Sequence, residues 1–173
     1  RALSTLYGGT YNLFAHTLPQ YGIEVRFVDP DAPGGLAAVV DDKTRLVFAE
    51  TVGNPRGNVV DLDAWSEAAH ALGLPLVIDN TIATPILTRG RDHGADIVVH
   101  SLTKFIGGHG TSIGGVLVDN GTFDWTAHAD RYPRRTQPDP SYHGAVWRDA
   151  LGPAAYPRRA RPRLPPPPRA APP

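Results

Sequence analysis

Lys104 and Asp79 carry the clearest chemical signal in this sequence, because each lies just past a short apolar run. Residues 74–78 lead into Asp79-Asn80-Thr81. Residues 96–100 lead into Ser101-Leu102-Thr103-Lys104 and then the glycine-rich Gly107-Gly108-His109-Gly110. A lysine that forms an imine must be neutral part of the time, which burial or nearby positive charge favours. The apolar run ahead of Lys104 predicts such burial. The hydroxyls of Ser101 and Thr103, with the amides of the following glycines, are natural ligands for a phosphate group. Taken singly, Lys104 reads as a surface lysine capping a loop and Asp79 as a turn or cap aspartate. In combination, an imine lysine, an acid able to keep a pyridine nitrogen protonated and a set of phosphate donors match what pyridoxal 5'-phosphate requires. A cofactor-free Schiff-base lyase would use Lys104 but leave Asp79 and the hydroxyls without a role. His109 and His143 are metal-ligand types with no spaced partner set beside them.

These residues need a scaffold that brings strand ends together. Apolar runs of strand length recur at residues 23–28, 46–49, 74–78, 97–99 and 115–118. Their Val, Ile and Leu content with little alternation predicts strands covered on both faces, as in a parallel sheet between helices. The segment 61–73 predicts a helix, with Asp61 as N-cap, acidic residues in the first turn and Gly73 past its end. Shorter helices are predicted at 35–40 and 84–93. The order βαβαβ implies right-handed crossovers and an α/β layered domain. In such open sheets function gathers beyond the carboxyl ends of the strands, so Asp79 and Lys104 are expected on one rim.

Composition narrows the class further. With 173 residues, 41% hydrophobic and 20% charged, the chain is the size and make-up of one ordinary globular domain. No apolar run is long enough to span a bilayer and the first residues lack signal-peptide order, so a cytoplasmic protein is expected. Cysteine is absent, which excludes disulfides and thiolate chemistry. The formal net charge of zero hides a division, because residues 1–156 carry 12 basic against 17 acidic residues. That mildly acidic body gives no basic face for nucleic acid. Residues 157–173 hold eight prolines, five arginines and no acid. They predict a disordered tail with polyproline-like stretches.

Four linked motifs resemble one family: Leu6-Tyr7-Gly8-Gly9-Thr10-Tyr11, Glu50-Thr51-Val52-Gly53-Asn54-Pro55, Val77-Ile78-Asp79-Asn80-Thr81 and His100 through Gly110. The resemblance is to the Cys/Met-metabolism pyridoxal-phosphate enzymes, and it runs from about Leu3 to Tyr156. Tyr11-Asn12-Leu13-Phe14, Gly110-Thr111-Ser112-Ile113-Gly114-Gly115 and Pro140-Ser141-Tyr142-His143-Gly144 resemble the O-acetylhomoserine sulfhydrylase branch. The resemblance implies the large domain of a fold-type I pyridoxal-phosphate transferase, a mainly parallel sheet flanked by helices. It implies Lys104 as imine lysine and proton shuttle, Asp79 on the pyridinium nitrogen, and Ser101 and Thr103 on the phosphate. It further implies Tyr7 stacked on the cofactor ring and assisting proton transfer, and Asn54 on the ring oxygen. The implied reaction is γ-replacement, in which O-acetylhomoserine and sulfide or a thiol give homocysteine, or a related thioether, and acetate. Cystathionine γ-synthase or γ-lyase chemistry of the same family is the alternative. A homodimer or homotetramer is the implied assembly.

Against that family the sequence lacks a match to the upstream glycine-and-serine phosphate loop and N-terminal arm, and to the downstream domain with its carboxylate-binding arginine. It also contains no Met. Residues 1–156 are therefore expected to be a large domain truncated at both ends, followed by the tail at 157–173. Such a fragment, alone, is expected to bind the cofactor weakly and to be catalytically inactive.

Overall fold

The computed structural model describes residues 1–152 together with 155 and 156, and the tail expected at 157–173 lies outside the described residues. The chain forms two compact units, Arg1–Phe123 and Asp124–Pro173.

The first unit is built on a six-stranded sheet: β1 (Ala2–Leu3), β2 (Phe27–Val28), β3 (Val47–Glu50), β4 (Leu76–Asp79), β5 (Ile97–Ser101) and β6 (Gly115–Asp119), in the spatial order β2-β1-β3-β4-β5-β6. All neighbours are parallel except β6, which runs antiparallel to β5. A parallel return would need a crossover of a dozen or more residues, usually a helix. The link between β5 and β6 is instead taken up by a tight turn at Leu102–Ile106 and a glycine-rich loop, so the chain comes straight back.

The short helices α1 (Gly8–Asn12), α2 (Leu36–Val39) and α4 (Thr84–Leu87) and the longer α3 (Leu62–Ala71) complete this unit. Helix α3 forms as its sequence predicts: the Asp61 carboxylate accepts the Ala64 backbone N–H at 3.0 Å, satisfying a free helix-end donor. Its Leu62, Trp65 and Ala69 pack with Leu36 against Val47, Ala49, Leu76, Ile78 and Val98 in one core. Trp65 is fully buried, and its indole N–H has a partner in Pro30 O at 2.9 Å. On the opposite face, Phe14 meets Phe48 edge-on at 5.1 Å and Tyr11 stacks on Phe27 at 5.0 Å. No helix among the described residues is long and apolar enough to cross a membrane.

Three predicted elements come out differently. The run at 23–28 keeps only Phe27–Val28 as strand, because it pairs on one side alone at the sheet edge. The two-residue β1, fully buried between β2 and β3, is too short to give a sequence pattern. The helix predicted over 84–93 breaks into α4 and a 3-10 turn at Gly90–His93. Thr88 between them is extended, and its carbonyl accepts the Asn80 side-chain amide at 2.8 Å.

Asp96 pins the amino end of the central strands. It is almost wholly buried and accepts from Leu76 N, His70 Nε2 and Thr122 Oγ1, each at 2.8 Å.

The second unit holds α5 (Pro133–Thr136) and α6 (Trp147–Leu151). There the Asp139 carboxylate takes the Trp147 indole N–H at 2.8 Å and the Ser141 backbone N–H at 3.0 Å. The Arg135 guanidinium lies over the Trp125 and Tyr156 rings at 3.9 and 4.1 Å.

Replacing Asp96 tests how far the first unit depends on this clamp. Asp96→Ala strands the buried Leu76 N–H and is expected to cost about 1.5–3 kcal/mol, the range for hydrogen bonds to charged groups. Glu67→Ala, on the exposed face of α3, is expected to change stability by no more than about 0.5 kcal/mol. Urea denaturation of the two variants distinguishes these outcomes.

Candidate active site

Side chains alternate faces along a strand, and residues paired in register share a face. Val47, Ala49, Leu76, Ile78 and Val98 point to the α3 core, so Phe48, Glu50, Val77, Asp79, Val99 and Ser101 belong to the other face. Glu50 pairs with Asp79 in register and Asp79 with Val99. Glu50 and Asp79 thus stand side by side at the carboxyl edge, and Ser101 lies on the same face two residues further along β5.

Asp79 is held by the residue two further on. Its Oδ1 accepts the Thr81 backbone N–H at 2.9 Å and the Thr81 hydroxyl, and Thr81 Oγ1 in turn accepts the Ser101 backbone N–H at 2.8 Å. One threonine therefore ties the Asp79 carboxylate to the segment that carries Lys104. Asp79 Oδ2 has no hydrogen-bond partner among the described residues, which leaves one carboxylate oxygen for a cationic N–H. Below the rim a buried polar layer joins the same strand ends: Thr51 Oγ1 donates to Asn80 Oδ1 at 2.8 Å, and His100 Nδ1 lies 3.1 Å from Asn80 O.

Lys104 sits in a turn that Gly107 N closes onto Leu102 O at 2.8 Å. Its own backbone is non-helical, with φ −92° and ψ −123°. A Cβ on Gly107 would lie 2.5 Å from Leu102 O, a backbone atom that cannot yield, so this turn requires glycine. The burial expected for Lys104 is not found: the residue is exposed. The turn carries it past the end of the strand, beyond the apolar run that suggested burial. Ser101 is half-buried and its hydroxyl has no partner among the described residues. Thr103 differs, since its Oγ1 receives the Gly114 N–H at 3.0 Å and faces Gly114 O at 3.2 Å, fastening the turn to the start of β6.

Tyr7 precedes α1 and is about half exposed. Its ring lies against Gly9, where a Cβ would come within 2.6 Å of Tyr7 Cε1. Asn54, half-buried, lies in the turn after β3, where Gly57 N bonds Gly53 O at 2.7 Å.

Glu50 is a site residue to which sequence reasoning gave no role. It is buried, and its Oε1 accepts the Tyr7 backbone N–H at 2.7 Å. Burial, reinforced by the Asp79 charge, pushes its carboxyl up to about 7, against the opposing pull of the Tyr7 and Asn54 backbone N–H groups. The signal was its position, because Glu50 follows an apolar run just as Asp79 does.

The arrangement offers an amine, a carboxylate with a free oxygen, hydroxyl groups and an aromatic face along one rim of a parallel sheet. Known proteins from several organisms are similar to this chain. Homocysteine synthase of Schizosaccharomyces pombe is 53% identical over 154 residues, which is 88% of this chain and 36% of that protein. O-acetyl-L-homoserine sulfhydrylase of Leptospira meyeri is 52% identical over 151 residues, 87% of this chain and 34% of that protein. This chain thus spans about a third of the length of these curated relatives. Among solved structures, a Campylobacter jejuni protein described as an O-acetylhomoserine (thiol)-lyase, with an N'-pyridoxyl-lysine-5'-monophosphate, superposes with a TM-score of 0.86 at 37% identity, covering 91% of this chain and 39% of its own. O-acetylhomoserine sulfhydrylase of Wolinella succinogenes gives 0.76 at 40% identity, covering 94% of this chain and 43% of its own. The family described as Cys/Met metabolism PLP-dependent enzyme matches residues 2–158, and the chain belongs to that family.

Proposed function

We propose that the protein to which this chain belongs binds pyridoxal 5'-phosphate through Lys104 and catalyses γ-replacement, converting O-acetylhomoserine and sulfide, or a thiol, to homocysteine, or the corresponding thioether, and acetate. The observation that carries this reading is the Asp79–Thr81–Ser101 linkage, which sets a carboxylate with a free oxygen beside the turn that presents Lys104. Those residues fit the cofactor's chemistry: an amine for its carbonyl carbon, an anion for its ring N–H, and donors for its phosphate. When bound, pyridoxal phosphate supplies the sink for electrons released at the substrate α-carbon.

The chain's own residues do the rest. Lys104 Nζ would hold the cofactor and, when free, would take the substrate α-proton and move it onward. Asp79 Oδ2 would hold the proton on the ring nitrogen, with Thr81 fixing the carboxylate so that no reorientation is needed during reaction. Ser101 Oγ would hold the phosphate, and the Thr103 hydroxyl would join it on leaving Gly114, to which it is bonded here. Tyr7 would cover the ring, exclude water and assist proton transfer, and Asn54 would hold the ring oxygen.

The assembled protein is read as a homodimer or homotetramer in the cytoplasm. The assembly is supported by Ile86, Leu87, Phe105 and Ile113, large apolar side chains exposed on the first unit.

Two variants of the natural full-length protein test the assignment. Lys104→Ala is expected to abolish the cofactor label fixed by borohydride reduction, read as protein mass. Asp79→Ala is expected to keep that label while kcat falls roughly 10²–10³-fold, the usual scale for losing a preorganised electrostatic partner. An Asp79→Ala enzyme with unchanged kcat removes the proposed role. The Tyr7 position is tested separately. Gly9→Ala pushes the Tyr7 ring aside and is expected to weaken cofactor binding up to about tenfold, since an aromatic stack is worth about 0.5–1.5 kcal/mol. Gly8→Ala meets nothing within 4 Å and is expected to leave binding as it was. Titration with pyridoxal phosphate, followed by absorbance, compares the two.

A further inference from the structure

We propose that Glu50 is a positioning residue of this site: its carboxylate, standing beside Asp79 at the end of β3, holds the backbone N–H of Tyr7 and so sets where the Tyr7 ring lies, and it loosens that hold on taking up a proton. The consequence for the cofactor rests on the function proposed above, whereas the contact itself does not.

Geometry carries the inference. Glu50 is only 5% exposed, an unusual state for a glutamate with no cationic partner among the described residues. Its Oε1 lies 2.7 Å from Tyr7 N, bridging residues that are 43 apart in the chain. Helix α1 begins just after Tyr7, and no side chain caps it. The first helical turn is instead anchored through Tyr7, whose carbonyl accepts the Tyr11 N–H at 2.9 Å. The Glu50 bond thus fixes the backbone from which the Tyr7 ring projects, and Gly9 leaves room for the ring on the other side. Asn54, on the turn after β3, turns its backbone N–H toward the same carboxylate as a second, weaker donor. One buried side chain therefore reaches the two segments that carry Tyr7 and Asn54.

Glu50 is also able to change its charge near neutrality. Asp79 on β4 is the one charged side chain acting on it among the described residues, and the Tyr7 and Asn54 N–H groups act in the opposite sense. Its carboxyl titrates at about 7 instead of the usual 4.5. Above that pH the bond to Tyr7 N is charge-assisted and roughly twice as strong as a neutral one. As pH falls through it, Glu50 becomes neutral and the bond weakens. The same displacement gives a sign for stability. The folded state holds a proton on Glu50 that the unfolded chain gives up near 4.5, so this group's stabilising contribution is full below about 4.5 and is lost as pH rises through about 7.

The test needs no cofactor. The 173-residue chain contains six tyrosines, so labelling with 15N-tyrosine gives a short set of backbone amide signals, and Tyr7→Phe identifies the one from position 7. In the unsubstituted chain the Tyr7 amide is expected to shift in a step with midpoint near pH 7. In Glu50→Gln, which keeps the shape but cannot ionise, that step is expected to vanish. A Tyr7 amide that stays flat between pH 5 and 9 overturns the proposal without Glu50→Gln having to fold. The same step persisting in Glu50→Gln overturns it as well, since the titrating group would then be another. A cofactor titration of the natural full-length protein separates the two readings. Loss of the cofactor assignment leaves the Tyr7 step in place, and loss of the step leaves Lys104 and Asp79 as they are.

Discussion

The site depends on the register of β3, β4 and β5. Glu50 opposite Asp79, and Asp79 opposite Val99, set the ends of β3 and β4 level on one face of the sheet, with β5 running two residues further to Ser101. A slip of one residue in β4 would turn Asp79 into the α3 core and bring Ile78 to the rim, since the side-chain period along a strand is two. What prevents the slip is packing on the far side. Val47, Ala49, Leu76, Ile78 and Val98 all meet the same cluster as the fully buried Trp65. A shifted strand would place polar atoms in that cluster and expose aliphatic ones, at about 1.5–3 kcal/mol for each large side chain moved from core to water. The hydrophobic face of the sheet thus specifies the polar one.

Hydrogen bonds then fix β4 lengthwise. At its start, Leu76 N is held by the buried carboxylate of Asp96; at its end, Asp79 is held through Thr81 to Ser101 on β5. Between the rim and the core, Thr51, Asn80 and His100 satisfy one another or nearby backbone, so the strand ends are joined by a closed polar layer. Such a layer resists rearrangement because breaking any member leaves a buried polar atom unpaired. A carboxylate seated on this layer is held in place before any ligand arrives.

Central features were readable from sequence because they follow local rules that tertiary structure reinforced. Asp61 caps α3, and the apolar runs at 46–49, 74–78, 97–99 and 115–118 become β3 to β6 within two residues at their ends. Long-range features were not readable. The direction of β6 depends on how the loop after Lys104 folds, and the break at Thr88 depends on the side chain of Asn80 from another segment. Lys104 was expected to be buried because it follows an apolar strand, yet the turn closed by Gly107 lifts it clear. Glu50 was visible in its motif but gained a role only when its contact with Tyr7, far away in sequence, was known. Residue types showed what chemistry is available, and the contacts that orient those residues came from the fold.

The pairing of Glu50 with Asp79 has a further electrostatic meaning. Two carboxylates on adjacent strands repel, and burial adds to the cost of ionising Glu50. Two backbone N–H groups oppose that cost without cancelling it, which is why the carboxyl sits near 7. A cation placed against the free Asp79 oxygen would offset the negative charge that Glu50 feels and so favour its ionised form. A protonated pyridine nitrogen, on the proposed function, is such a cation. Its binding would then strengthen the Glu50 bond to Tyr7 N and fix the aromatic residue proposed to cover the same ring. By linkage the effect is reciprocal, so that an ionised Glu50 favours the protonated ring in turn. Two neighbouring carboxylates at the ends of parallel strands can in this way connect the charge on the cofactor to the placement of the residue above it.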